Sequence, residues 1–247
     1  MCGIVGYIGN QKASSIIIKG LKRLEYRGYD SAGLSTMENN QIFTSKCKGK
    51  ITDLESLPSI EQHINSFGIG HTRWATHGEP NIDNAHPHND SDNIFSLIHN
   101  GIIENHYSIK EYLITKGIKF KSDTDTEVLV QFISYIYKKE KLDFYNTVKA
   151  VLKEVKGTYG IVVMCKDEPQ KLVAAKNGSP LLIGIGKDEN FLASDASAIL
   201  DETRNIFYLD DGEIAEVTKN TYKVTHIEHN QEIIKDIKEI EFSLDQI

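Results

Sequence analysis

The apolar positions early in the chain switch between short β-branched runs and helical spacing. Ile4 to Ile8 form a compact run that predicts a buried strand. Ala13, Ile16, Ile17, Leu21 and Leu24 then recur at helical spacing and predict an amphipathic helix ending before Gly28. GLSTM and QIFTSK predict a hairpin around Glu38-Asn39-Asn40. Another strand is expected from about Phe67 to Arg73. It leads into WATHGEPNIDNAHPHNDSDN, a long polar stretch holding Pro80 and Pro87, and loops of that length inside a compact domain are usually functional.

IFSLIHNG predicts a strand ending at Gly101, with Asn100-Gly101 as a turn. Three helices are expected next, over about Tyr107 to Lys116, Thr126 to Lys138 and Asp143 to Val155. The middle one opens with SDTDTE, whose short polar side chains can cap orphan amides. After Gly157 the pattern returns to strands: YGIVVMC, KLVAAK, LLIGIG, NFLAS, NIFYL, GEIAEV and KVTHI. Helices grouped between two sets of strands imply a layered α+β domain rather than a βαβ repeat. The pattern weakens after about Glu228, so the last residues read as a tail or the start of a connection.

Composition narrows the function classes. With 28 basic against 35 acidic residues the formal charge is −7, and the Lys and Arg residues are scattered, so no nucleic-acid surface is expected. The basic run Lys19 to Arg27 reads as the wet face of the first helix. No segment approaches the roughly 18 consecutive apolar residues of a membrane span, and no basic stretch precedes the first apolar run as in a secretory signal. Cys2, Cys47 and Cys165 are an odd count without paired spacing, which points to a reducing, cytoplasmic compartment. Packing is the expectation for Cys47 and Cys165.

Cys2 is different. Removal of Met1 would give it a thiol and a free amine together, and Gly3 leaves room beside them. An α-amine with a pKa of roughly 7.7–8.0 can accept a proton near neutral pH, and a nucleophile activated by its own amine is an established arrangement. In GHTRWATHGEP, Arg73 offers a planar fork suited to a carboxylate and Trp74 a rigid cover. In HNGIIENH, the Asn100 amide and the Gly101 N–H could together hold a developing oxyanion. His71, His77, His86, His88, His99 and His106 invite a metal reading. Their spacing does not match HExxH and no Cys pair accompanies them. No metal or cofactor is expected, and these histidines are expected to order the loop and hydrogen-bond one another.

Taken together, CGIVGYIG, LEYRGYDSAGL, HTRWATHGEP, NAHPH, HNGIIENH, SDTDTEV, KNGSPLLIG and FLASDASAIL resemble one family. They are similar to the glutaminase domain of the glutamine–fructose-6-phosphate amidotransferases (glucosamine-6-phosphate synthases), class II glutamine amidotransferases. The likeness runs from Cys2 to about Val217. It implies an N-terminal-nucleophile hydrolase fold, a four-layer α/β/β/α sandwich with two antiparallel sheets. It implies a domain over residues 2–217, with 218–247 as a tail or a linker to a sugar-isomerase half that this chain lacks.

The resemblance also implies roles. Cys2 is the nucleophile. Asn100 and Gly101 form the oxyanion hole, Arg73 takes the α-carboxylate of L-glutamine and Asp125 its α-ammonium. Thr76 and His77 line the pocket, Trp74 covers it and Arg27 orders the site. The ammonia released would serve glucosamine-6-phosphate synthesis from fructose-6-phosphate in the isomerase domain or subunit, through which homo-oligomers could form. The rival readings are a non-catalytic glutamine-sensing module and a glutaminase serving another ammonia acceptor.

Overall fold

Strands buried on both faces need cover on both sides, and that requirement stacks this chain in four layers. The computed structural model describes residues 2–74 and 81–241. The first part supplies β1 (Gly3–Ile8), helix α1 (Ala13–Leu24), β2 (Ser31–Glu38), β3 (Gln41–Lys48), the short helix α2 (Ile51–Glu55), β4 (Phe67–Arg73), β5 (His88–Asn89) and β6 (Phe95–Ile103). Three helices follow: α3 (His106–Thr115), α4 (Asp125–Glu140) and α5 (Phe144–Glu154). The remainder is β7 (Gly157–Cys165), β8 (Leu172–Asn177), β9 (Leu182–Ile185), β10 (Asn190–Ala193), β11 (Asn205–Tyr208), β12 (Glu213–Val217), β13 (Tyr222–His226) and β14 (Lys238–Glu239).

These strands form two sheets, ordered β14-β11-β9-β10-β1-β4-β2-β3 and β13-β12-β8-β7-β6-β5. Every neighbouring pair is antiparallel. Because successive side chains point to opposite faces, each central strand feeds two cores. Val5 and Tyr7 of β1 pack with Ile17 and Leu21 of α1. Ile4 and Ile8 turn the other way and meet Ile98, Val162 and Met164 of the second sheet. Leu97, Ile161 and Val163 face outward again, onto Val128, Ile133 and Val148 of α4 and α5. Each such side chain contributes about 1.5–3 kcal/mol by leaving water, and together they clamp the two sheets face to face.

The hairpin turns where the pattern predicts, with Asn39 and Asn40 at φ 47° and 57°, a conformation that asparagine tolerates better than most residues. One expectation fails. Asn100-Gly101 is not a turn, because β6 continues to Ile103, pairing Asn100 with Gly160, Gly101 with Tyr159 and Ile103 with Gly157. Gly101 sits at φ 131°, and a Cβ there would lie 2.1 Å from the Thr158 carbonyl oxygen. Glycine lets the strand run on past a point where a side chain would stop it.

The chain beyond Val217 continues both sheets, with β13 on β12 and β14 on β11. Lys149 on α5 holds it too, donating to Thr225 Oγ1 at 3.2 Å, His229 O at 3.0 Å and Asn230 Oδ1 at 3.0 Å. Among the described residues no helix is long and apolar enough to cross a membrane.

Candidate active site

Cys2 lies at the open end of β1, between β10 and β4. The backbone just after it is fixed from both sides: the Gly3 N–H donates to Thr72 Oγ1 at 3.1 Å and the Ile4 N–H to Ser194 Oγ at 3.0 Å. At Gly3 a Cβ would come within 2.8 Å of both Leu24 Cβ and Thr72 Oγ1, so helix α1 can press close beneath the nucleophile only because that residue is glycine. The Trp74 N–H donates to Cys2 Sγ at 3.2 Å. Burial pushes the Cys2 thiol pKa up, with the Trp74 backbone opposing it. The sulfur is therefore a thiol in need of a base rather than a standing thiolate.

Asn100 reaches the same corner from the other sheet, its Nδ2 donating to the Cys2 carbonyl oxygen at 2.9 Å. Gly101 follows it on β6. Asp125 is the first residue of α4, where Thr124 caps the helix by accepting the Glu127 N–H at 3.1 Å. The Asp125 Oδ2 accepts the Ile103 N–H at 2.8 Å, which ties the start of α4 to the end of β6.

Arg73 ends β4 and is buried. Desolvation pushes its pKa down, and the neighbouring Cys2, Asp30 and Asp125 oppose the shift. The Arg-Gly pair of LEYRGYD explains how that strand end is shaped. A Cβ on Gly28 would meet the Arg73 carbonyl carbon and the Trp74 nitrogen at 2.9 Å, and two residues on the Asp30 N–H donates to Arg73 O at 3.0 Å. Trp74 is 44% exposed, with Tyr29 edge-on at 5.3 Å. Arg27 pairs with Asp195, the residue after the Ser194 that holds Ile4.

Cys2, Arg73, Trp74, Asn100 and Asp125 thus converge on one end of the two sheets, and Arg27 braces the rim. Thr76 and His77 lie outside the described residues.

Four histidines line the wall behind Asn100. His71 and His86 stack at 4.2 Å and 23°, and His88 meets His86 edge-on at 4.8 Å. Their hydrogen bonds meet the expectation that they bond one another where His71 reaches the His99 backbone, and otherwise fall mainly on hydroxyls and an amide. His86 Nε2 and His99 Nδ1 both meet Thr126 Oγ1, at 2.9 and 3.0 Å, while His88 Nε2 meets Thr124 Oγ1 at 3.0 Å. His71 Nε2 meets Asn100 Oδ1 at 3.0 Å and His99 O at 3.1 Å. His106 is apart, with its Nδ1 2.6 Å from Ile103 O. Burial pushes His71 down to about 3, His86 and His88 well below the ordinary range, and lowers His99. Among the described residues no three His, Cys, Asp or Glu side chains are placed to hold a metal ion.

Sequence reading assigned no part to Thr72, Thr126, Ser194 or Asp195. A signal existed for all four: Thr72 lies in HTRWATHGEP, Thr126 in SDTDTEV, and Ser194 and Asp195 in FLASDASAIL. Their long-range partners are 27 to 190 residues away, beyond any local pattern.

The model of the glutamine amidotransferase domain family matches residues 59–244. The glutamine–fructose-6-phosphate aminotransferase [isomerizing] of Bacteroides thetaiotaomicron is 50% identical over 249 residues, spanning 100% of this chain and 40% of that protein. The protein of the same name from Clostridium tetani is 47% identical, over 99% of this chain and 40% of its own length. The chain therefore spans about two-fifths of the length of these relatives. Among solved structures, the glutamine phosphoribosylpyrophosphate amidotransferase from B. subtilis, complexed with ADP and GMP, superposes with a TM-score of 0.78 at 26% identity, over 92% of this chain and 49% of that one. A glutamine aminotransferase class-II domain protein from Silicibacter pomeroyi shares the fold alone, with a TM-score of 0.59 at 13% identity, over 92% of this chain and 99% of that one.

Proposed function

We infer the activity from one premise: the chain belongs to the glutamine amidotransferase domain family. The reading is that it hydrolyses the side-chain amide of L-glutamine to L-glutamate and ammonia through a thioester on Cys2. The observation that carries it is the 2.9 Å hydrogen bond from Asn100 Nδ2 to the Cys2 carbonyl oxygen, which brings a side-chain amide donor to the residue that bears the sulfur. An amide is a poor electrophile, so attack needs such a donor waiting where negative charge develops.

In this mechanism Met1 is absent and the α-amine of Cys2 takes the thiol proton as sulfur attacks the amide carbon. The Asn100 Nδ2 and the Gly101 N–H hold the resulting oxyanion. The amine then gives its proton to the departing nitrogen, which leaves as ammonia. Water, deprotonated by the same amine, attacks the thioester and releases glutamate. Arg73 takes the α-carboxylate of the substrate in bidentate fashion and Asp125 its α-ammonium. Free glutamine presents both charges and a peptide-bound amide does not, so this pair selects the free amino acid. Trp74 covers the bound substrate, and Arg27, through Asp195, keeps the nucleophile's surroundings in order.

We further propose that residues 2–217 form the catalytic unit and that 218–247 lead toward a sugar-isomerase half. That half would use the ammonia to make glucosamine 6-phosphate from fructose 6-phosphate, in the cytoplasm. The support is the identity with aminotransferases of which this chain spans two-fifths. Glutamate release by the purified chain tests the glutaminase reading. Cys2→Ala is expected to abolish turnover while glutamine still binds. Persistent hydrolysis would remove Cys2 as nucleophile, and glutamine binding by the unmutated chain without turnover would make it a sensor.

A further inference from the structure

We propose that His71 is a positioning residue for the oxyanion hole: its Nε2–H fixes the Asn100 side-chain amide in the one orientation that aims Nδ2 at the reacting centre. This deepens, and rests on, the assignment of Asn100 as an oxyanion donor.

The directions of the hydrogen bonds are forced by the acceptors. His71 Nε2 lies 3.1 Å from the His99 carbonyl oxygen, which can only accept, so Nε2 carries the proton. The same N–H reaches Asn100 at 3.0 Å, so the atom it meets there is the amide oxygen. The other arm of the amide lies 2.9 Å from the Cys2 carbonyl oxygen, again acceptor-only, so that arm is NH2. Imidazole and amide thus form one chain of fixed sense, running from His71 through Asn100 to Cys2.

Two features keep it from reversing. The ring is fully buried, and burial holds it neutral by pushing its pKa down to about 3, so it has a single proton to place. Among the described residues its buried Nδ1 has no partner, which suits a bare lone pair better than an orphaned N–H. The stack of His86 on its face, at 4.2 Å, blocks ring rotation. Without the Nε2–H, the Asn100 amide could turn over and present its oxygen to a developing negative charge, converting a donor into a repulsive group.

The experiment compares kcat and KM for glutamine hydrolysis in the processed chain and in His71→Phe, His71→Gln, Asn100→Ala and the His71→Phe/Asn100→Ala double variant. Phe keeps the stack and removes the donor, whereas Gln keeps an N–H. His71→Phe is expected to lower kcat about 10- to 100-fold with KM within about twofold, a part of the loss from deleting a whole donor. His71→Gln is expected to recover most of it. In the Asn100→Ala background His71→Phe should cost less than about twofold, because a residue acting through another has nothing left to act on. An equal loss in both backgrounds would overturn the proposal. An unchanged kcat in Asn100→Ala alone would instead sink the oxyanion assignment beneath it. Should the Phe variant not fold, the tautomer decides: 15N NMR of the histidine-labelled, unmutated chain is expected to show His71 protonated at Nε2 at pH 7, and an Nδ1–H form would overturn the proposal.

Discussion

The Asn100 side-chain amide donates to the Cys2 carbonyl oxygen at 2.9 Å across 98 residues of sequence. It is a bond between the two sheets, since Asn100 belongs to β6 and Cys2 to the end of β1. The sandwich that buries the apolar faces therefore also holds the Asn100 amide against the backbone of Cys2.

If that amide serves the transition state, Asn100→Ala should lower kcat by about 10²–10³ while KM changes little. Steady-state glutamate release checks it. A change confined to KM would move Asn100 to the groups that hold substrate.

Asp125→Asn keeps an oxygen for the Ile103 N–H and removes the charge. Losing one partner of a desolvated charge pair costs about 2–5 kcal/mol, so glutamine affinity should fall at least about 30-fold. Calorimetric titration of glutamine into the Cys2→Ala form reads this without turnover. Unaltered affinity would take Asp125 out of the ammonium-binding role.

Much of this site was legible because its residues lie in short stretches of unusual composition. Cys2, Arg73 and Asn100 could each be picked out locally, as could β1, the Asn39-Asn40 hairpin and the caps of α4, whereas Asp125 came only with the family resemblance. What was not legible depends on pairing between distant segments. Asn100-Gly101 reads as a turn in isolation, and only the register with Gly160 and Tyr159 makes it strand. The two-residue β14 has too little pattern to register at all. The histidines announce themselves in sequence, but apart from the His71 bond to the His99 backbone, the hydroxyls of Thr124 and Thr126 and the Asn100 amide take most of their hydrogen bonds, and no spacing rule points there.

Gly28→Ala probes the shape of the strand end. The new Cβ would stand 2.9 Å from backbone atoms of Arg73 and Trp74, which cannot swing aside as a side chain could. The expected result is a loss of about 1–3 kcal/mol in denaturant titration and a rise in KM of about tenfold, since Arg73 moves with its backbone. Wild-type stability and KM would show that the contact yields at no cost.

The buried histidines predict acid lability. His63 is pushed down to about 4 and His71 to about 3 by burial, with His86 and His88 well below their usual range. Between those values and the unfolded 6.5, only the unfolded chain takes the proton, so stability is complete above pH 6.5 and falls as pH drops. Each such group removes about 1.4 kcal/mol per pH unit. Melting curves from pH 7 to pH 5 should show a steadily falling midpoint. A flat profile would mean that these rings are not held neutral.

The most direct measurement pairs intact-mass spectrometry with glutamate release on two preparations, one beginning at Cys2 and one retaining Met1. A free α-amine as proton carrier predicts turnover in the first and a rate lower by about 10²-fold or more in the second. Equal rates in the two would contradict it.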